Sequence, residues 1–144
     1  MITRIYIDLD EILNRIYAES ARRALCAPDV PLLSADQSRL LEQYIESGFR
    51  EVQVRIGGYV ALASFNPNSD DNNIILHLQL RHNSGEPLSQ LLHYALVELL
   101  AHYALMRFYG DEGTWYGTAW RKYRAQVLLM LARDQMALDA TAEV

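Results

Sequence analysis

Cysteine and lysine are nearly absent from this chain. Cys26 is the one cysteine among 144 residues, which excludes an intramolecular disulfide and any cysteine-rich zinc site. Lys122 is the one lysine among 13 basic residues. Arginine therefore carries almost all the positive charge, and its planar fork suits protein interfaces better than lysine does. Basic residues are also too few for the acid: the net charge is −5. A chain of that sign is a poor default binder of nucleic acid, because phosphate neutralisation needs clustered Lys and Arg. Long apolar runs are missing too. The most apolar stretch, Leu91 to Met106, is broken by His93, Glu98 and His102, whereas a membrane span needs roughly 20 largely uncharged residues. The N-terminal MITRIYIDLDEILNR has no apolar run of signal-peptide length. These shortages lead us to expect a soluble protein of a reducing compartment.

What is present is ordinary globular material, 51% hydrophobic and 22% charged, in a length suited to one domain. Ile5 and Ile7 alternate with Tyr6 and Asp8, as in a short strand. The period then turns helical through Leu9, Ile12, Leu13, Ile16 and Ser20, with Asp8 and Glu11 at capping-box spacing. Pro28 and Pro31 end that element. Ser34 and Gln37 form a second capping box before a helix marked by Leu41, Tyr44, Ile45, Gly48, Val52 and Ile56, which Gly57-Gly58 stops. YVALASF fits either a helical turn or a strand. IILHLQLRH, 74 to 82, is the clearest strand signal: Ile74, Leu76, Leu78 and Leu80 face one way, and His77, Gln79 and Arg81 the other. It must pair with residues 2 to 7, with residues 59 to 65 or with a neighbouring subunit. A helix from about Pro87 to Tyr109 follows, with Gly110 just past its end, and then a last helix from about Trp115 to Met136. The expected fold is mainly α, a bundle of about four helices with one or two short strands, with residues 1–136 as one domain and 137–144 as a disordered tail.

The tetrapeptide HYAL occurs at 93–96 and again at 102–105. Nine residues of helix rotate about 900°, so His93 and His102 point to opposite sides, about 13 Å apart along the axis. They cannot share a metal. Two polar stripes result, Ser89, His93 and Arg107 on one side and Glu98 and His102 on the other, and they separate two apolar faces. One face carries Leu88, Leu92, Leu99 and Met106; the other carries Leu91, Ala95 and Leu105, flanked by Tyr94 and Phe108. Such a helix is central to a bundle, or lies between its own core and a partner. Glu98 and His102, four apart, could ligate a metal only with a third group, and the simpler reading is a satisfied polar spot.

IYIDLDEIL resembles the first motif of haloacid-dehalogenase-type phosphatases, which would make Asp8 a nucleophile and Asp10 an acid/base. Glu11 and Ile12 follow where that family has a small residue and then Thr or Val. The simpler reading is a helix start with acids that complement the dipole. Asp70-Asp71 falls in a polar loop too early in the chain for that family's late acidic pair. In TWYGTAWRKYRA, 114 to 125, Tyr116, Trp120 and Tyr123 suit a core and Trp115 an interface anchor. Arg121, Lys122 and Arg124 beside these rings suit stacking on a solvated helix face more than nucleic-acid binding.

The order of elements, with ALVELLAHYALMRFYG followed by TAWRKYRAQVLLMLARD, resembles the small head–tail connector or adaptor proteins of tailed bacteriophages and prophages. In these, a long helix leads into a strand or hairpin and two further helices follow, the last ending in an Arg-rich stretch. Ser34 to Gly57, Ile74 to His82, Pro87 to Gly110 and Trp115 to Met136 match in order, and the Asp8-to-Leu25 helix is additional. The resemblance implies a non-enzymatic structural protein, cytoplasmic in a bacterial host and then part of the virion. It implies no cofactor, no metal and no catalytic residues. The partners would be further copies, as in a ring, and other structural proteins. The expected interface residues are Trp115, Tyr116, Trp120, Arg121, Tyr123 and Arg124, with Ile74, Leu76, Leu78 and Leu80 on a strand that pairs between subunits. The alternative is a small helical enzyme or metal-binding bundle using Glu98 and His102 or Asp8 and Asp10.

Overall fold

The computed structural model describes residues 2–27, 31–67, 72–80, 85–110 and 114–142. Asp70, Asp71, Arg81 and His82 lie outside them. The fold is mainly α, four helices with a small three-stranded antiparallel sheet. Strand β1 (Ile2–Asp8) runs directly into α1 (Leu9–Cys26). A 3-10 turn (Ala35–Gln37) opens α2 (Ser38–Ile56). Strands β2 (Val60–Asn66) and β3 (Asn73–Gln79) form a hairpin, and α3 (Gly85–Tyr109) and α4 (Thr114–Ala142) complete the chain. Among the described residues no helix is long and apolar enough to cross a membrane.

The capping chemistry sets two of these starts. Asp8 accepts a hydrogen bond from the Asp10 amide at 2.9 Å, while Glu11 does not complete the expected box; its carboxylate turns to His93. Ser34 and Gln37 do form theirs, with the Ser34 amide donating to Gln37 Oε1 at 2.8 Å. Helix α4 continues to Ala142, past the end expected near Met136. MALDAT contains neither glycine nor proline to stop it.

YVALASF resolves as strand β2. The strand order is β1-β3-β2, so β3 is central and both its edges are filled within the chain, Ile5 opposite Leu76 on one side and Ala63 opposite Leu76 on the other. This corrects the expectation that Ile74, Leu76, Leu78 and Leu80 serve a subunit interface. All four are at most 2% exposed and belong to the chain's own core. Alternation identified the buried face, but a central strand in an antiparallel sheet has no edge left to offer.

Helix α3 is the axis of the bundle. It packs on α4 most extensively and also on α2, α1 and β1. Leu92 and Leu99 from one predicted face and Ala95 and Leu105 from the other are all fully buried, so this chain's own elements cover most of both faces. The exceptions lie near the N-terminal end, where Leu91 and Tyr94 stay exposed. A chain of three hydrogen bonds ties the α1–α2 connection to the end of α3. The Leu33 amide donates to Ser20 Oγ (2.8 Å), Ser20 Oγ donates to Tyr109 Oη (3.0 Å), and Tyr109 Oη donates to the Pro31 carbonyl (3.0 Å).

Helices α2 and α3 approach closely at Gly48, where a Cβ would stand 2.8 Å from Cδ1 of Tyr103. That ring cannot yield easily: it is buried, packs edge-on against Trp120 and is tied through its hydroxyl to Ser47. Gly48→Ala should therefore destabilise the fold by about 1–3 kcal/mol through overpacking, although alanine is favoured over glycine by about 1 kcal/mol in an exposed helix. Urea unfolding of the variant measures the balance, and a stabilised protein would show that α2 can slide away.

Candidate functional site

A cleft of about 590 Å³ opens between α1 and α3, lined by Glu11, Asn14 and Arg15 from one helix and by residues of 89–98 from the other. The helical periods explain its lining. Glu11 and Arg15 are one turn apart on α1, and Ser89, His93 and Val97 recur on one side of α3 at the same spacing.

Both polar stripes of α3 are answered by α1, through Glu11 and Arg15, and the first also reaches α2. From the first stripe, His93 Nε2 lies 3.0 Å from Glu11 Oε2, and the Arg107 guanidinium covers the Tyr44 ring of α2. From the second, Glu98 is only 5% exposed and accepts from Arg15 Nε at 2.8 Å. Arg15 also reaches Glu19 on its own helix, and Glu19 in turn holds Arg22. The hydrogen bond to Glu98 is the first reason that Arg15 holds its proton more firmly than usual. Burial alone would raise the Glu19 carboxyl, but Arg22 and Arg15 outweigh it and the net shift is downward.

His102 is 1% exposed. Its Nδ1 donates to the Glu98 carbonyl oxygen at 2.7 Å and stands 3.5 Å from Glu98 Oε2. The rings of Trp115, Tyr116 and Tyr123 surround it, with centroids 5.4 to 6.0 Å away. Burial lowers its pKa, against an opposing pull from the Glu98 carbonyl and carboxylate. The neutral imidazole thus spends its one N–H on the helix backbone, and Nε2 has no hydrogen-bond partner among the described residues.

Tyr94 and Tyr123 meet edge to face at 6.4 Å. A row of rings therefore runs from Tyr94 through Tyr123 and His102 to Trp115, along the seam of α3 and α4. Both ends are open: Tyr94 is 59% and Trp115 57% exposed, and Leu91, one turn from Tyr94, is 56% exposed. Of these three, Tyr94 lines the α1–α3 cleft, while Trp115 stands at the opposite end of the row.

Only part of the expected interface lies on this surface. Trp115 is exposed as expected and Tyr123 is half-buried. Tyr116 and Trp120 are buried, so these two expected interface residues belong to the core, with Tyr116 stacked on Tyr109. Arg121 is solvent-facing. Arg124 covers the Trp120 ring at 4.6 Å and pairs with Glu51 of α2 at 3.6 Å, which ties α4 to its neighbour. Asp8 and Asp10 are exposed, with Asp8 capping α1. Glu98 and His102 do come together, yet among the described residues no group of three or more His, Cys, Asp or Glu converges on a metal-sized space. Arg15 and Glu11 went unrecognised in the sequence. Their four-residue spacing was visible, but nothing local tied them to α3.

Comparison with known proteins finds no matching family model, curated protein or solved structure.

Two predictions follow from the buried pair. Arg15→Met strands the Glu98 carboxylate and should cost about 3 kcal/mol in urea unfolding, the low end for breaking a buried pair because Arg15 is one-third exposed. For His102, the folded pKa lies below the unfolded value of about 6.5. Its stabilising contribution is thus complete above that pH and is lost as pH falls through the folded value. Melting temperature should drop on acidification from about pH 7 to about pH 5.5, before the Glu19 contribution begins to fade below the usual carboxyl range. In His102→Gln the slope over that interval should flatten; an unchanged slope would assign it to other groups.

Proposed function

We propose that this chain is a non-enzymatic assembly protein that works through contacts with copies of itself and with other structural proteins. The carrying observation is an aromatic row with open ends: Tyr94, which lines the α1–α3 cleft, its neighbour Leu91, and Trp115 at the other end are each more than half exposed. Isolated exposed apolar residues are commonplace, but aromatic anchors linked through Tyr123 and His102, one of them lining a concavity, resemble the centre of a binding surface. Arginine-rich, lysine-poor charge supports the same reading.

The more specific form of the proposal is a phage or prophage protein of head–tail connector type. Its support is the succession of long helix α2, hairpin β2–β3 and antiparallel helices α3 and α4, the layout of those proteins, with β1 and α1 as an addition. In this role the chain is made in a bacterial host, enters a ring or similar homo-oligomer and becomes part of the virion. A second reading, a small helical enzyme, draws on the Glu11–His93 pair at the cleft, an imidazole and a carboxylate within reach of a bound molecule.

Light scattering coupled to size exclusion, with negative-stain imaging, tests the first reading. The expected result is a mass above the 16.5 kDa of one chain, rising with concentration. Trp115→Ala should weaken association by about 2 kcal/mol, roughly thirtyfold. A chain that stays single at the highest attainable concentration would overturn self-assembly.

A further inference from the structure

The sheet offers a second surface, at its β2 edge beside α2. With the order β1-β3-β2, the outer edges of β1 and β2 have no strand beside them among the described residues. The two edges differ in chemistry. Strand β1 carries Arg4 and Asp8, and charges of that kind discourage pairing. Strand β2, VALASFN, has no charge, no proline and no fully buried residue; Ala61 and Leu62 are exposed and the rest are half-buried. Its irregularity falls between Val60 and Leu62, so Leu62 to Asn66 is a regular, uncharged edge. Beside it runs a groove of about 270 Å³ bounded by Ala63 and Phe65 of β2 and by Glu46, Phe49, Arg50 and Gln53 of α2.

We infer that this edge is where two copies of the chain join, β2 pairing antiparallel with β2 of the second copy about a two-fold axis at Ser64. The inference rests on the self-association proposed above and specifies one of its contacts. Three observations select a second copy in this arrangement. First, Glu46 and Arg50 form an ion pair one turn apart on the wall of the groove. A two-fold axis beside them sets each arginine toward the other copy's glutamate, so the wall is complementary to itself and no like charges meet. Second, an axis at Ser64 places Phe65 opposite Ala63 of the other copy, a large ring against a small side chain over the groove, and Leu62 opposite Asn66. The pleat keeps those residues on matching faces. Third, β1 and β2 are both antiparallel to β3 and so run in the same direction. A head-to-tail junction of β2 with β1 would be parallel, less stable per residue, and would bring Arg4 and Asp8 to the seam. Self-pairing of β2 avoids both costs and makes one continuous sheet of the two copies.

Charge swaps at the axis test this on the full chain. Ser64 is half-buried and not part of the core, so Ser64→Lys and Ser64→Glu should each leave the circular dichroism spectrum and melting curve close to wild type. Like charges then face each other across the axis, and each variant alone should associate roughly tenfold more weakly in light scattering. Mixing the two in equal amounts should restore wild-type association, which a merely unfolded variant could not do. Wild-type association by either variant alone would overturn the β2 contact while leaving self-assembly standing. Weakening without restoration on mixing would overturn the two-fold axis at Ser64. A wild-type chain that never associates would overturn both this contact and the assembly reading.

Discussion

A charge carried by a helix that protein surrounds must be answered from outside, and α3 is that helix here. Glu98 and His102 sit one turn apart in its buried middle. Leaving a carboxylate unpaired at such a depth costs several kcal/mol, so α1 has to approach with Arg15 at the height of Glu98. That requirement fixes how α1 lies across α3. The arrangement of α1 then determines where β1 emerges, since Asp8 both ends the strand and caps the helix. The position of β1 in turn sets the sheet, through its register on β3. The Arg15–Glu98 pair is thus less a source of net stability than a device that selects one packing of the helices over others.

The same crossing of α1 over α3 opens the cleft. Arg15 closes on the buried Glu98, and one turn nearer the start of α1 Glu11 meets His93 close to the surface. On the other side α4 delivers Tyr123 and Trp115 to the buried imidazole of His102. The aromatic row therefore owes its exposed ends to the core: the interior rings hold Tyr94 and Trp115 in place. A rigid aromatic on a helix loses little entropy when it is covered, which is why such a surface suits assembly.

Much of this architecture was legible in the chain. Helical period, proline and glycine positions and the Ser34 box located four helices, and alternation located β3. The HYAL repeat showed that α3 carries two apolar faces and two polar stripes. What stayed hidden were matters of partnership. Tyr116 and Trp120 suited a core by their spacing and an interface by the family resemblance; they meet Tyr109 and Tyr103, while Trp115 reaches solvent. The strand pattern of β3 identified its buried face but not that both edges would be filled, because hydrogen-bond partners in a sheet are chosen by distant segments. Glu11 read as half of a capping box until His93, 82 residues away, claimed its carboxylate.

The division has a simple physical basis. Periodicity, capping and chain breakers act over a few residues, and they determined on their own that this chain makes four helices and a short sheet, with a central helix that needs cover on most sides. Burial of one ring rather than its neighbour, the pairing of Arg15 with Glu98 and the place of β2 at the side of the sheet depend on contacts between segments far apart in sequence. Those are set by how whole faces fit together, and only the tertiary structure decides them.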